Sequence, residues 1–276
     1  MSSARRLGLR WVPFLGALLG LAARSSGEVK LIAPAGYLPG VPFLARVEVR
    51  ESSGARDWNL WNAEAVLAAD QPGGSLSTNR VALRNGLGTV LLTISGSANF
   101  ALSASVNGAQ ASRAVTSLSG QTVTTVSGAL SGTSSTWSGI VHVTGLVTVP
   151  ANHTLTLQPS TLVLIDGVAA GTDGLSLIVN GAIQSLGTEL NPVTITSSDA
   201  NLNWGQIRHD DAQASLYQHT FVSKAGRAPG EGHTSTGPAL RSNNSTIDFE
   251  SCVISDLTAD GSAIGKIAMA SGSTLT

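Results

Sequence analysis

The chain has 276 residues, 42% of them hydrophobic and only 12% charged, with a formal net charge of −1. That balance excludes a disordered polymer and a basic nucleic-acid-binding protein, and the length accommodates two domains, each able to bury a core. Aromatic residues make up 4% while glycine occurs 31 times, a composition suited to many thin strands joined by tight turns, so an all-β fold is expected.

At the N-terminus Arg5, Arg6 and Arg10 precede an uncharged run from Trp11 to Ala23, followed by small residues. Residues 1–27 are therefore predicted to be a secretory signal peptide, cleaved between Leu21 and Gly27. The run is shorter than the ~20 residues of a membrane-spanning helix, and no integral membrane segment is expected after cleavage. Removing the first 23 residues takes three of the 16 basic side chains and none of the 17 acidic ones, which leaves a mildly acidic secreted or cell-surface protein with no surface for nucleic acid. Cys252 is the single cysteine, so stability must come from packing and backbone pairing rather than from an intrachain disulfide.

From Val29 to about Ser117 the pattern alternates with period two. In PFLARVEVR, Phe43, Ala45, Val47 and Val49 share one face and Leu44, Arg46, Glu48 and Arg50 the other. The rhythm returns in Phe100, Leu102, Ala104 and Val106, and in Val90, Leu92 and Ile94 after the turn signal Asn85-Gly86. Further turn signals at Pro39-Gly40, Ser53-Gly54, Pro72-Gly73-Gly74 and Asn107-Gly108 divide the region into about six or seven half-buried antiparallel strands, as in a small β-sandwich. The spacing of VPFLARVEV, VALRNGLGTVLLTI and FALSASVNG resembles the immunoglobulin-like modules of bacterial surface proteins. Without the paired cysteines of antibody-type domains, the resemblance implies the sandwich alone, over residues 28–119.

The stretch SLSGQTVTTVSGALSGTSSTWSG, Ser117 to Gly139, has the composition of a flexible linker. Its β-branched residues nevertheless fall at strand spacing, so it is read as a short connection into the next domain, with the boundary near Gly120. Beyond it, apolar runs of three to five residues are separated by only a few residues, too short to bury a face alone and suited to the turns of a solenoid. A late repeat supports this: HTFVSKA, GPALRS and NNSTIDFE are followed by SCVISDL, GSAIGK and SGSTLT. The repeat aligns Gly237 with Gly261 and Ser245 with Ser273, and would place Thr220 and Val222 over Cys252 and Ile254. The series VTVPANHTLTLQPSTLVLIDG, LIVNGAIQSLGTELNPVTITS and NWGQIRH resembles the opening coils of a right-handed parallel β-helix of the pectin-lyase-like type, over residues 120–276. At two turn positions where such sequences carry glycine this chain has Asn152 and Ser160, of which asparagine tolerates positive φ better.

The resemblance implies a place to look for chemistry, because polysaccharide lyases on this fold cluster carboxylates around calcium and add a base. The local approach to such a cluster is Arg208-His209-Asp210-Asp211, read as a charged, solvated turn whose adjacent carboxylates point to opposite faces of a strand. A hydrolase would need acids about 5 to 9.5 Å apart, but Asp166, Asp173, Glu189, Asp199, Asp248 and Asp256 fall mostly in turns or alone. His233 lacks companion aspartates. His142, His153, His209, His219 and His233 lack the short spacing of a zinc site and are read as scattered surface residues. No catalytic residue, metal or cofactor is assigned.

Trp204, Arg208, Asp210 and Asp211 remain as candidate ligand-binding residues, with Trp204 able to stack on a sugar or to fill the interior. The expected function is a non-catalytic structural or binding segment of a larger exported protein, with a polysaccharide or cell-surface component as partner. The alternatives are the N-terminal part of a carbohydrate-active enzyme and an adhesin. The repeat also places Thr276 on Asp248 with no cap after it and with Ile264, Ile267 and Met269 nearby, so further domains are expected after Thr276 and self-association when the segment is isolated.

Overall fold

The computed structural model describes residues 27–70, 75–228, 237–258 and 268–276, with only the backbone of 268–270. The leader, Pro72-Gly73-Gly74, His233, Gly261, Ile264 and Ile267 lie outside the described residues. The fold is all-β, with both antiparallel and parallel sheets. No helix among the described residues is long and apolar enough to cross a membrane.

The N-terminal region contains β1 (Glu28–Ile32), β2 (Gly36–Tyr37), β3 (Phe43–Arg50), β4 (Ala63–Ala69), β5 (Arg80–Leu83), β6 (Leu87–Leu92), β7 (Phe100–Val106) and β8 (Ala109–Ser117). They form two sheets, ordered β1-β3-β6 and β2-β8-β7-β4-β5. Alternation decides what they bury: Ala45, Val47 and Val49 of β3 meet Leu67, Leu102 and Ala104 of the facing sheet in one core. The turn chemistry follows the sequence, with φ of 51° and 67° at Asn85-Gly86 and of 50° and 87° at Asn107-Gly108, the doubly positive pattern of a type I′ turn.

Antiparallel strand pairing ends at Val115 of β8, and from Val123 the strands named next pair in parallel. They are β9 (Val123–Ala129), β10 (Ser134–Trp137), β11 (Ile140–Val149), β12 (Thr154–Leu157), β13 (Leu162–Ile165), β14 (Leu177–Val179), β15 (Ala182–Leu186) and β16 (Val193–Ser197). There follow β17 (Ile207–Asp210), β18 (Ser215–Gln218), β19 (Thr220–Ser223), β20 (Leu240–Asn243), β21 (Thr246–Glu250), β22 (Val253–Ser255), β23 (Ala268–Ser271) and β24 (Thr274–Leu275). They stack in three rows. The first is β10-β12-β15-β18-β21-β24. The second joins the start of β11 to β13, β16, β19 and β22, and the third joins the end of β11 to β14, β17, β20 and β23. β11 serves two rows because its register shifts between Val143 and Val147, and β9 lies against both halves.

Each circuit brings like side chains over like. Ile140, Leu162, Thr194, Phe221 and Val253 are in register at offsets of 22, 32, 27 and 32 residues. The expected placement of Val222 over Ile254 is the observed one, in a register that runs from Phe221 on Val253, one residue after Thr220 and Cys252, and Ser245 meets Ser273 through a backbone N–H that donates to the Ser273 hydroxyl at 3.0 Å. Inward rows such as Val141, Val163, Ile195 and Val222 form the second core. In another inward row Trp137 and Leu157 are followed by the small Ser185, then by Tyr217 stacked on Phe249 with ring centroids 5.3 Å apart.

One face of the N-terminal region departs from the half-buried expectation. Leu44 and Glu48 point away from the first core, yet they are 1% and 7% exposed. Arg46 and Arg50 flank the Glu48 carboxylate, and Leu44 is covered by the parallel region, which lies against the β1-β3-β6 sheet. Ile32, Leu44 and Leu91 pack on Phe221 and Val253, and Leu38, Val41 and Leu118 pack on Ile140, Leu162 and Leu164. Lys30 pairs with Glu189 and the Arg113 guanidinium donates to the Leu190 carbonyl across the same seam.

Candidate functional site

Long segments gather at one corner of the parallel region. The chain takes residues 166–176 and 198–206 to pass from the second row to the third, whereas the third row returns to the first through a few residues. At the base of that corner Asp166 accepts hydrogen bonds from Ser198 Oγ at 2.8 Å and pairs with His142 Nε2 at 2.6 Å. Burial alone would raise the Asp166 carboxyl, but the hydrogen bonds from His142 and Ser198 and the His142 charge outweigh it and hold the group below the ordinary carboxylate range. Nearby, burial lowers the Lys224 ammonium, and the Asp256 and Asp199 carboxylates oppose that shift.

This cluster is polar and open on one side, with 30% of the His142 side chain and 43% of Asp166 exposed. It is not an activated nucleophile: the Ser198 proton is directed to Asp166 and not to an imidazole that could accept it. Among the described residues no three His, Cys, Asp or Glu side chains come together to hold a metal ion. What the corner offers is a fixed carboxylate and a ring nitrogen that can accept or donate hydrogen bonds to a ligand.

The four residues singled out from the sequence do not share one surface. Trp204 is fully buried and its ring N–H donates to the Ser223 carbonyl at 2.8 Å. Its backbone N–H reaches Lys224 and its carbonyl accepts from Arg227. The sugar-stacking reading of Trp204 is thereby corrected, because no face of the ring meets solvent and the side chain serves to brace the long segments from below. Arg208 Nε lies 2.5 Å from Asp210 Oδ2, an ion pair in which the N–H is not aimed along the contact. Asp210 also accepts from Asn243 Nδ2 at 2.7 Å, and its carbonyl accepts from Asn180 at 3.0 Å. Asp211 turns the other way and accepts from Asn244 Nδ2 at 3.1 Å. Arg208, Asp210 and Asp211 thus belong to a polar ladder that fastens successive circuits at a different corner.

The histidines also separate. His153 and His209 are fully buried, which corrects their reading as surface residues: each occupies an inward position, with His153 Nδ1 2.9 Å from the Gly132 carbonyl and His209 Nε2 3.0 Å from the Tyr217 hydroxyl. The pairing of His142 with Asp166 is one that sequence reasoning missed. The available signal was their separation of one circuit, since His142 is in register with Leu164, two residues before Asp166.

No family model and no curated protein matches the chain. Two solved structures of Parabacteroides merdae β-glucuronidase, one with glycerol in its active site, are similar over 33% and 34% of this chain at 14% and 15% identity. The TM-score is 0.28 for both and the chain covers 12% of each glucuronidase chain. A similarity of that size leaves the glucuronidase fold and activity with the glucuronidase.

Proposed function

We propose that this chain is a non-catalytic segment of a larger secreted or cell-surface modular protein, in which an immunoglobulin-like β-sandwich is docked on a right-handed parallel β-helix of the pectin-lyase-like type. The helix serves as a rigid surface that displays its long corner segments to a polysaccharide or another cell-surface component. The observation that carries this reading is the apolar seam between the two regions. Leu44 and Phe221 are each 1% exposed although both point away from their own cores. A mere tether would leave those faces polar, since inter-domain contacts that permit motion are small and wet. Stacked parallel strands add stiffness along the row direction, because each circuit is bonded to the next.

The reading is tested by applying the secreted protein to a glycan array and incubating it with polygalacturonate, alginate and neutral glycans, with and without calcium. Binding without release of reducing ends or unsaturated uronates is expected. Turnover that Asp166→Asn or Asp210→Ala abolishes would contradict the proposal and favour the enzyme reading.

A further inference from the structure

The segment between β3 and β4, residues 51–62, carries two tryptophans three residues apart in Asp57-Trp58-Asn59-Leu60-Trp61-Asn62. Trp58 is 58% exposed and Trp61 59%, whereas the other described tryptophans, Trp137 and Trp204, are 5% and 0% exposed. A single surface apolar residue needs no explanation, but two exposed indoles three residues apart forgo a large burial energy.

The segment is built to hold them there. Its backbone is closed by hydrogen bonds from Glu51 N to Ala55 O at 2.8 Å, Gly54 N to Glu51 O at 2.9 Å and Asp57 N to Val49 O at 2.9 Å. Gly86 N donates to the Leu60 carbonyl at 3.0 Å, and the Asp57 carboxylate accepts from Asn59 N at 3.0 Å. Leu60, between the two rings, packs against the first core. A side chain at Gly86 would bring a Cβ within 2.5 Å of the Asp57 carbonyl, so the glycine permits the close approach that seats the segment.

The chemistry around the rings selects the ligand. Asn59 and Asn62 are exposed beside them, and the one exposed aliphatic side chain of the segment is the small Ala55. Flat apolar rings set among hydrogen-bonding amides match a pyranose, which presents C–H faces and hydroxyl edges. The Arg56 guanidinium stacks on Trp58, 3.4 Å from the ring centroid. Among the described residues no carboxylate lies within ion-pair distance of Arg56. That uncompensated charge matches a sugar acid.

We propose that Trp58, Trp61 and Arg56 form a binding site for an acidic polysaccharide, with the indoles stacking on sugar rings and the guanidinium pairing with a uronate carboxylate. The site rests on the polysaccharide partner of the reading above, but it lies on the N-terminal region and not on the parallel rows. Glycan turnover would sink the non-catalytic reading and leave this site standing. Unimpaired binding without the two rings would sink this site alone.

Affinity electrophoresis of the secreted protein through polygalacturonate and through neutral galactan tests it. Retardation is expected in polygalacturonate, weakened by about tenfold or more in W58A/W61A. Arg56→Gln should weaken it severalfold. Both rings are largely exposed, so the variants should keep the parent's circular dichroism and unfolding midpoint. In the parent, bound polygalacturonate should also shield tryptophan fluorescence from iodide. Absence of retardation, undiminished retardation of W58A/W61A, or equal retardation by neutral galactan would overturn the proposal.

Discussion

His209 lies inside the parallel region, fully buried, with Nε2 on the Tyr217 hydroxyl and no hydrogen-bond partner for Nδ1. Burial pushes its pKa down to about 4, with the Asp210 charge working weakly against the shift. The native imidazole therefore stays neutral while the unfolded one, near 6.5, takes up a proton. Stability from this group is complete above the unfolded value and is lost as pH falls from about 6.5 to about 4, a total of about 3 kcal/mol. Urea denaturation at a series of pH values should show that slope in the parent and a flatter profile in His209→Gln. Asp166 and Glu48 act in a lower window. Burial raises both carboxyls, but the hydrogen bonds of His142 and Ser198 on Asp166, and those of Arg50 and Arg46 with their charges on Glu48, hold both below the ordinary carboxylate range. Their contributions are present at neutral pH and vanish only as pH falls through those lowered values.

At the scale of the element, the turns decide how each circuit closes. Asn152 and Ser160 have φ of 66° and 65°, so both adopt the left-handed conformation for which glycine is better suited. The same conformation recurs in register at Asp211, Asn244 and Gly272, with φ of 46°, 45° and 60°. Ser251, exposed and at φ 54°, carries the cost without a side-chain bond in return. Ser251→Gly is expected to raise stability by about 1 kcal/mol. Gly272→Ala should lower it, because the added Cβ would sit 2.3 Å from Asn244 Oδ1; chemical denaturation measures both. Much of this was legible in the sequence, where alternation in PFLARVEVR assigns the core face of β3 and the repeat after His219 fixes the register of β19 on β22. The covering of Leu44 was not, because an outward position is buried only if another surface arrives, and Phe221 belongs to a different domain of the reading. The His142–Asp166 contact depends on circuit length in the same way. Nor does WNLW alone say that Leu60 goes inward and both indoles stay outside.

For the whole molecule, the seam joins two cores into one body. Phe221 packs with Ile32 and Leu44 at one end of it, and Leu162 with Leu38 and Val41 at the other. Removing a buried phenylalanine costs about 3–5 kcal/mol, and a carboxylate in its place would also have to be solvated. Phe221→Asp should therefore separate the regions without unfolding the first core, whose residues it does not touch. Small-angle X-ray scattering of the parent and of Phe221→Asp tests this rigid docking most directly. The parent is expected to fit one arrangement with the β1-β3-β6 sheet against the second row, and the variant a broader distribution with a larger radius of gyration. A parent curve that requires an ensemble of separated regions, or identical curves for the two proteins, would contradict the account.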